Sequence, residues 1–357
     1  MQPHQSPADA SPTSTKPLRV AQWATGTIGV RALRGIIEHR GMDLASVYVH
    51  SSEKAGRDAG ELCGLAATGV TATTSIDDIV SSGAECVLYM PSVLDLAEVR
   101  RLLEAGINIV TTCSQFHHPA GMDPDLREEV ERACATGGAS IHSTGSSPGF
   151  ISEAIPLVLT SIQRRFTSLT ISEFGDLSQR PSPEILFDRM GFGRAMGDFD
   201  QSRAQHLAAS FGPSLRLIAE TMGLPLDEVH ASGQLAAATR TVQIAAGTIE
   251  AGTVAAQQIT VVGTRNGLPL LTFNPTWYCT TNIEPRWDLL DTGWRVSVVG
   301  DAPLEIDIRM PVPLNEMALV SPGYTANRAV NAAFAICSAA PGIRSTADLP
   351  HVIATFG

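Results

Sequence analysis

The sequence is short of charge, short of aromatic residues and free of long apolar runs. Charged residues make up 17% and aromatic residues 5% of its 357 positions, against 44% hydrophobic ones. That balance provides apolar material for real cores and argues against a disordered chain. No apolar stretch approaches the roughly 20 residues that span a bilayer, so a soluble protein without a membrane partner is expected. Basic residues number only 25 against 36 acidic ones, a net charge of −11. This excludes a nucleic-acid partner, because such binding comes mainly from Lys and Arg meeting phosphates. The six cysteines (Cys63, Cys86, Cys113, Cys134, Cys279 and Cys337) are scattered and include no C-x-x-C pair. They read as reduced thiols of a cytoplasmic protein, not as a disulfide framework. His117 and His118 are adjacent, and no other His/Cys cluster has ligand spacing, so no metal site is expected. Met1–Pro17 is rich in Pro, Ser and Thr and has no apolar signal core; it reads as a disordered tail.

What is present begins at Leu18, where short apolar runs alternate with amphipathic segments. Leu18–Ala24 is a strand, followed by a helix over Gly29–His39 with Val30, Leu33, Ile36 and Ile37 on one face. Leu44–His50, Cys86–Met90, Ile107–Thr112 and Ala139–Ser143 are further strands. Between them, Ser75 with Asp78 reads as a variant capping box, and Asp95 and Glu98 bracket a helix start. Gly106 stops that helix, while Asp123-Pro124 opens another that Gly137 closes. Strands alternating with helices imply a doubly wound parallel sheet.

After Phe150 the pattern changes. Leu169 and Ile171 alternate with polar neighbours, and Ala255–Thr264 and Leu268–Cys279 flank Asn266-Gly267, a type I′ hairpin signal. Trp294–Val299 is expected to pair with the alternating run around Ile306 and Ile308. Consecutive antiparallel strands predict a second, mixed or antiparallel sheet. The fold class is therefore α/β: an N-terminal Rossmann sheet plus a second α+β domain. A helix of small residues, Tyr324–Cys337, ends before Pro341-Gly342.

Ala24-Thr25-Gly26-Thr27-Ile28-Gly29 joins the first strand to the first helix and matches G-x-G-x-x-G with alanine first. In that context Gly26 lets the backbone approach a pyrophosphate, Gly29 lets helix and strand pack closely, and the helix N-terminus supplies amide donors. An NAD site usually has Asp or Glu at the second strand tip. Here Ser51, Ser52 and Lys54 stand there, beside Glu53 and Arg57, which favours NADP(H) while leaving NAD(H) open. Ligands of doubly wound sheets bind beyond the strand ends. Pro91, Thr112, Cys113, Gly145 and Ser147 are therefore further cofactor candidates, and Gln115, His117 and His118 become candidates to orient and protonate a substrate heteroatom. Met190, Phe192, Met196, Phe199, Trp277 and Tyr278 are candidate pocket walls, although core packing competes for each. The absence of a Y-x-x-x-K pattern argues against a short-chain dehydrogenase.

Taken together, A-T-G-T-I-G, T-T-C-S-Q-F-H-H-P, T-G-S-S-P-G-F and the segment Tyr324–Ala332 resemble the 2,4-diaminopentanoate dehydrogenase and amine dehydrogenase branch of the dihydrodipicolinate reductase-like family. The resemblance implies a Rossmann domain completed by the C-terminal helix, a second mixed domain, and a homodimer with its active site in the interdomain cleft. The expected division is a tail over 1–17, a dinucleotide-binding domain over 18–150, a substrate-binding and dimerisation domain over 151–320, and a returning helical segment over 321–357. The branch carries a glutamate in the loop where this chain has Ser114-Gln115, and asparagine where it has Ser147. An H-H-x-x-K motif of true dihydrodipicolinate reductases does not occur. The carboxylate that meets substrate nitrogen must then come from elsewhere, with Glu173 or Asp176 as candidates. The expected activity is NAD(P)H-dependent hydride transfer to or from a C=N or C=O carbon of a small, fairly apolar molecule. A non-catalytic dinucleotide-binding protein is the alternative.

Overall fold

A computed structural model describes residues 16–356, so most of the expected N-terminal tail lies outside the described residues. The first layer is built from β1 (Leu18–Trp23), α1 (Thr27–Glu38), β2 (Met42–Tyr48), α2 (Ala59–Leu62), β3 (Ala72–Thr73), α3 (Ile76–Ser81), β4 (Cys86–Tyr89), α4 (Leu96–Glu104), β5 (Asn108–Thr111), α5 (Pro124–Gly137) and β6 (Ser140–Ser143). The next elements are α6 (Ile155–Thr160), β7 (Phe166–Asp176), α7 (Gln201–Thr221), β8 (Glu228–Ala238), and a small hairpin of β9 (Val242–Ile244) and β10 (Gly247–Ile249). Then come β11 (Val254–Arg265), β12 (Leu268–Tyr278), β13 (Ile283–Glu284), β14 (Gly293–Gly300), β15 (Leu304–Arg309), α8 (Leu314–Cys337) and β16 (Gly342–Ile343).

The first sheet has seven strands in the order β16-β6-β5-β4-β1-β2-β3, and all its pairings are parallel. Chain order reverses between β1 and β4, the switch point at which doubly wound sheets bind ligands. Both faces are covered, so the strands read as continuous apolar runs: Cys86–Tyr89 is buried at every position. One face packs on α4 and α5. The other packs on α1 and α8, where Ala326, Ala329, Ala332 and Ala333 bring α8 close to α1 and to Val20, Leu88 and Val110.

The second sheet also has seven strands, in the order β13-β8-β11-β12-β7-β14-β15. Only β12 and β7 run parallel, so the sheet is mixed. Asn266 and Gly267 have φ of +52° and +73°, as the β11–β12 turn requires. Alternation along β7 buries Leu169 and Ile171 against α7 and α6.

Several local expectations are corrected. Ser75 precedes α3 but its side chain does not cap; Asp78 accepts from the Thr73 hydroxyl instead. Asp95 and Glu98 do bracket the start of α4, Asp95 capping it and Glu98 in its first turn accepting from Tyr89 Oη at 2.7 Å. Gly137 is the last residue of α5, and Gly138 takes the left-handed cap with φ +68°. The last helix begins at Leu314, ten residues before the expected Tyr324, and holds Pro322 inside it. Its 21-residue counterpart α7 shows no clean apolar stripe in sequence, because it is packed by both β8 and the Ser146–Ala154 segment. The edge strand β16 was not foreseen either.

Candidate active site

The glycine turn is pinned from below. Ala24 has φ +68°, a left-handed conformation that costs a Cβ-bearing residue. Its N–H donates to Tyr48 O at 2.9 Å, and its carbonyl accepts from Gln22 Nε2 at 2.9 Å. A Cβ on Gly29 would lie 2.1 Å from that carbonyl, so only glycine lets α1 sit on the turn. Gly26 is the N-cap of α1 and no side chain caps the helix, while Gly26 and Thr27 are exposed. These open amides and the positive end of the helix dipole fit the pyrophosphate of a dinucleotide. Ile28 faces the neighbouring cleft. Thr25 is buried, and Lys54 Nζ donates to its carbonyl at 3.0 Å and its hydroxyl at 3.2 Å. At the second strand tip the Ser51 hydroxyl accepts from Glu53 N–H, and Ser52, Glu53 and Arg57 are exposed.

The ends of β4, β5 and β6 form the adjoining rim. Pro91, Thr112 and Cys113 are half-buried there. Ser143 Oγ donates to Cys113 O at 2.6 Å and ties the two strand ends together. Gly145 is buried beneath α8, whose Thr325 Oγ1 lies 2.7 Å from Ser146 Oγ. The hydroxyl of Thr144 is buried without a hydrogen-bond partner among the described residues, and the buried hydroxyl of Ser147 lies toward Glu173.

From this rim a cavity of about 310 Å³ opens toward the second sheet, lined among others by Ile28, Ser147, Glu173, Trp277, Trp294 and Tyr324. Glu173 shares the strand face of Leu169 and Ile171, so the period of β7 carries a carboxylate to the end of an otherwise apolar row. Trp294 stands directly opposite on β14, and its Nε1 donates to Glu173 Oε2 at 2.9 Å. Burial pushes the Glu173 carboxyl above its ordinary range, only partly countered by Trp294 and the nearby Ser147 hydroxyl. Asp176 also lines the cavity, but its carboxylate accepts from Ser178 N–H at 2.8 Å.

The loop after β5 lies elsewhere. His117 is buried with Nδ1 2.6 Å from Glu153 Oε1, and Glu153 is itself fully buried. Burial raises the Glu153 carboxyl, but the His117 charge and hydrogen bonds from His117, Ser214 and Thr346 outweigh it and leave it below its ordinary range. His118 Nε2 lies 2.8 Å from Glu220 Oε2. Gln115 is exposed and borders a shallow hollow against α7 with His118 and Arg216. The structure thus brings Ser147 and Glu173 together and leaves Gln115, His117 and His118 outside that cavity. Packing accounts for this: Phe116 is buried in the first core and draws the loop inward. Of the expected pocket walls, only Trp277 lines the cavity. Phe192 and Tyr278 are buried in a separate core that Met190 packs against, Phe199 packs under α7, and Met196 is 42% exposed.

Sequence reasoning missed Glu153 and Trp294. Glu153 carried no signal, since a glutamate in a helical segment is ordinarily exposed. Trp294 heads an alternating strand opposite Glu173, a clue only once the register is known.

Comparison with known proteins places this geometry. A family model described as the 2,4-diaminopentanoate dehydrogenase C-terminal domain matches residues 150–357. An amine dehydrogenase of Streptomyces virginiae is 26% identical over 342 residues, covering 92% of this chain and 95% of the relative. A 2,4-diaminopentanoate dehydrogenase of Acetoanaerobium sticklandii is 23% identical over 132 residues, covering 36% of this chain and 37% of its own. The solved structure of an amine dehydrogenase from Mycobacterium smegmatis shares the fold with a TM-score of 0.72 at 16% identity, over 95% of this chain and 97% of that one.

Proposed function

This chain belongs to the 2,4-diaminopentanoate dehydrogenase C-terminal domain family, and from that premise we propose that it exchanges hydride with the nitrogen-bearing carbon of a small amine or imine, with Glu173 meeting the nitrogen. The protein is an NAD(P)-dependent dehydrogenase of the amine dehydrogenase branch. The observation that carries the assignment of Glu173 is its place: a carboxylate held by Trp294 and beside the Ser147 hydroxyl, in the cavity that Ile28 of the dinucleotide turn also lines. The alternative of a non-catalytic binding protein finds no support in a cleft built this way.

The nicotinamide dinucleotide, when bound, supplies or accepts the hydride. Gly26 and Thr27 at the α1 N-terminus would hold its pyrophosphate, and the hydroxyls of Thr144 and Ser147 would take its polar groups at the β6 end. Glu173 as carboxylate attracts an ammonium or iminium and favours the charged carbon–nitrogen species. A carboxyl raised by burial is also better matched to hold and release a proton at that nitrogen. Trp277 and Trp294 supply aromatic surface that a cation can use, and Met310, Leu314 and Met317 add apolar wall beside the polar Asp176, Arg180, Thr292 and Ser321. That lining supports a substrate with a modest apolar substituent.

NADP(H) is the preferred cofactor in this reading. Its support is Lys54, held on Thr25 between the second strand tip and the glycine turn, where a 2′-phosphate would find a cation. A homodimer and a cytoplasmic location complete the proposal, and sedimentation of the purified protein measures the first. Ammonia-dependent ketone reduction, assayed for wild type and Glu173→Gln, tests the central claim. A variant that aminates ketones as fast as the wild type would overturn it.

A further inference from the structure

We propose that Gln22 is a positioning residue for the dinucleotide, standing in for the glycine that the first place of the turn lacks. The inference rests on the nicotinamide dinucleotide reading and adds a residue outside the glycine motif. Gln22 is fully buried in β1. Its Nε2 lies 3.1 Å from Trp23 O and 2.9 Å from Ala24 O. Both partners are carbonyls, which only accept, so the amide nitrogen must face them. Ala24 O is thereby held between this amide and Gly29, whose Cα hydrogen faces it; a Cβ there would come within 2.1 Å of the oxygen and 3.0 Å of Gln22 Nε2. The same residue is held at its other end by Tyr48 O. Ala24 stays left-handed at φ +68° because both of its backbone groups are tied. Glycine adopts that conformation without help; alanine does so at a cost.

A second observation separates a role in binding from a role in folding. Gln22 Oε1 is buried with no hydrogen-bond partner among the described residues. An apolar residue of the same shape removes this unpaired acceptor but also leaves Ala24 O without its amide donor, two effects of opposite sign, so the fold is expected to tolerate it. What such a change takes away is the hold of the amide nitrogen on the turn. The turn in its held form presents the Gly26 end of α1 outward; released, Ala24 relaxes toward φ < 0 and swings those amides away from the pyrophosphate.

Gln22→Met, close in volume, tests this with two readouts that need no turnover: calorimetric titration with NADPH and NADH, and melting of the protein without nucleotide. The expected result is a melting temperature within a few degrees of wild type and dinucleotide affinity weakened about tenfold, the size of one net hydrogen bond. Adding Ala24→Gly to Gln22→Met is expected to restore affinity to within about threefold of wild type, because glycine needs no clamp. Unchanged affinity in Gln22→Met overturns the proposal while leaving the dinucleotide reading intact. A loss that Ala24→Gly does not repair also overturns it, since the amide would then be acting on something other than the Ala24 conformation. A wild type that binds neither nucleotide overturns both.

Discussion

The dinucleotide turn and the substrate cleft lie side by side, yet they are built in opposite ways. The turn comes from one stretch, Gln22 to Gly29, with distant contributions from Tyr48 O and Lys54. Its chemistry is backbone chemistry: amides, a helix end and one residue that must be glycine. The cleft gathers Ser147, Glu173, Trp277, Trp294 and Met317 from five separated segments, and its chemistry is carried by side chains. A site made of backbone is sensitive first to shape. One made of a carboxylate held by Trp294 is sensitive to charge and protonation.

The contrast can be broken most severely at Gly29. Gly29→Val puts a side chain where Ala24 O lies 2.1 Å away, so calorimetry is expected to find no measurable dinucleotide binding while the second sheet stays folded by circular dichroism. Next in size is Glu173→Gln, nearly identical in shape. Turnover with amine is expected to fall about 10²–10⁴-fold with dinucleotide affinity within about threefold, since only charge and proton transfer are removed. Because burial raises the Glu173 carboxyl, the carboxylate form is lost as pH falls at a higher pH than for an ordinary glutamate near about 4.3. The acid limb of kcat/KM for amine oxidation should therefore lie above that value in the wild type and vanish in the variant.

A control for that limb comes from neither region. His142 is buried with Nδ1 donating to Arg344 O at 2.7 Å, and burial lowers its pKa to about 4. The unfolded chain takes up this proton near about 6.5 and the folded one near about 4, so stability is intact above the first value and lost as pH falls between them. The loss amounts to about 3 kcal/mol. Thermal melts from pH 7 to 4 should show it, and His142→Gln should flatten the dependence without moving the acid limb of activity.

Two smaller effects sharpen the boundary between the regions. Lys54→Ala should weaken NADPH about ten- to a hundredfold, the size of a lost charge-assisted contact, with a much smaller effect on NADH. Equal losses for the two nucleotides would mean that Lys54 serves the Thr25 turn instead of the phosphate. Gln115→Ala should change turnover by less than about threefold, because an exposed residue outside the cavity has little to contribute.

Much of the first sheet was legible because its signals are local. A strand, a glycine turn and a helix follow one another between Leu18 and Glu38, and Asp123-Pro124 marks a helix start in any context. The Asn266-Gly267 hairpin was legible for the same reason: positive φ at two successive positions selects those residues. Ser75 was misread because its N–H donates to Thr73 Oγ1, whose hydroxyl in turn donates to Asp78 and takes up the carboxylate a capping box would use. His117 and His118 were read as facing substrate because histidine beyond a strand end is chemically suggestive. Their partners, Glu153 and Glu220, lie 36 and 102 residues away and became visible only after folding.

The sequence by itself determined the dinucleotide turn, since backbone conformation over a few residues depends on those residues: a missing Cβ at Gly29, an uncapped helix start, a strand before it. It also determined that a second sheet follows, because alternation and turn chemistry are short-range. Only the tertiary structure decided which acid is buried against Trp294 in the cleft. Glu173 becomes special when β14 lays Trp294 across it and burial raises its carboxyl, and Glu153 becomes a buried junction when α7, the β5 loop and the C-terminal segment converge on it. Desolvation and charge pairing act through space, between residues whose separation along the chain carries no trace of their meeting.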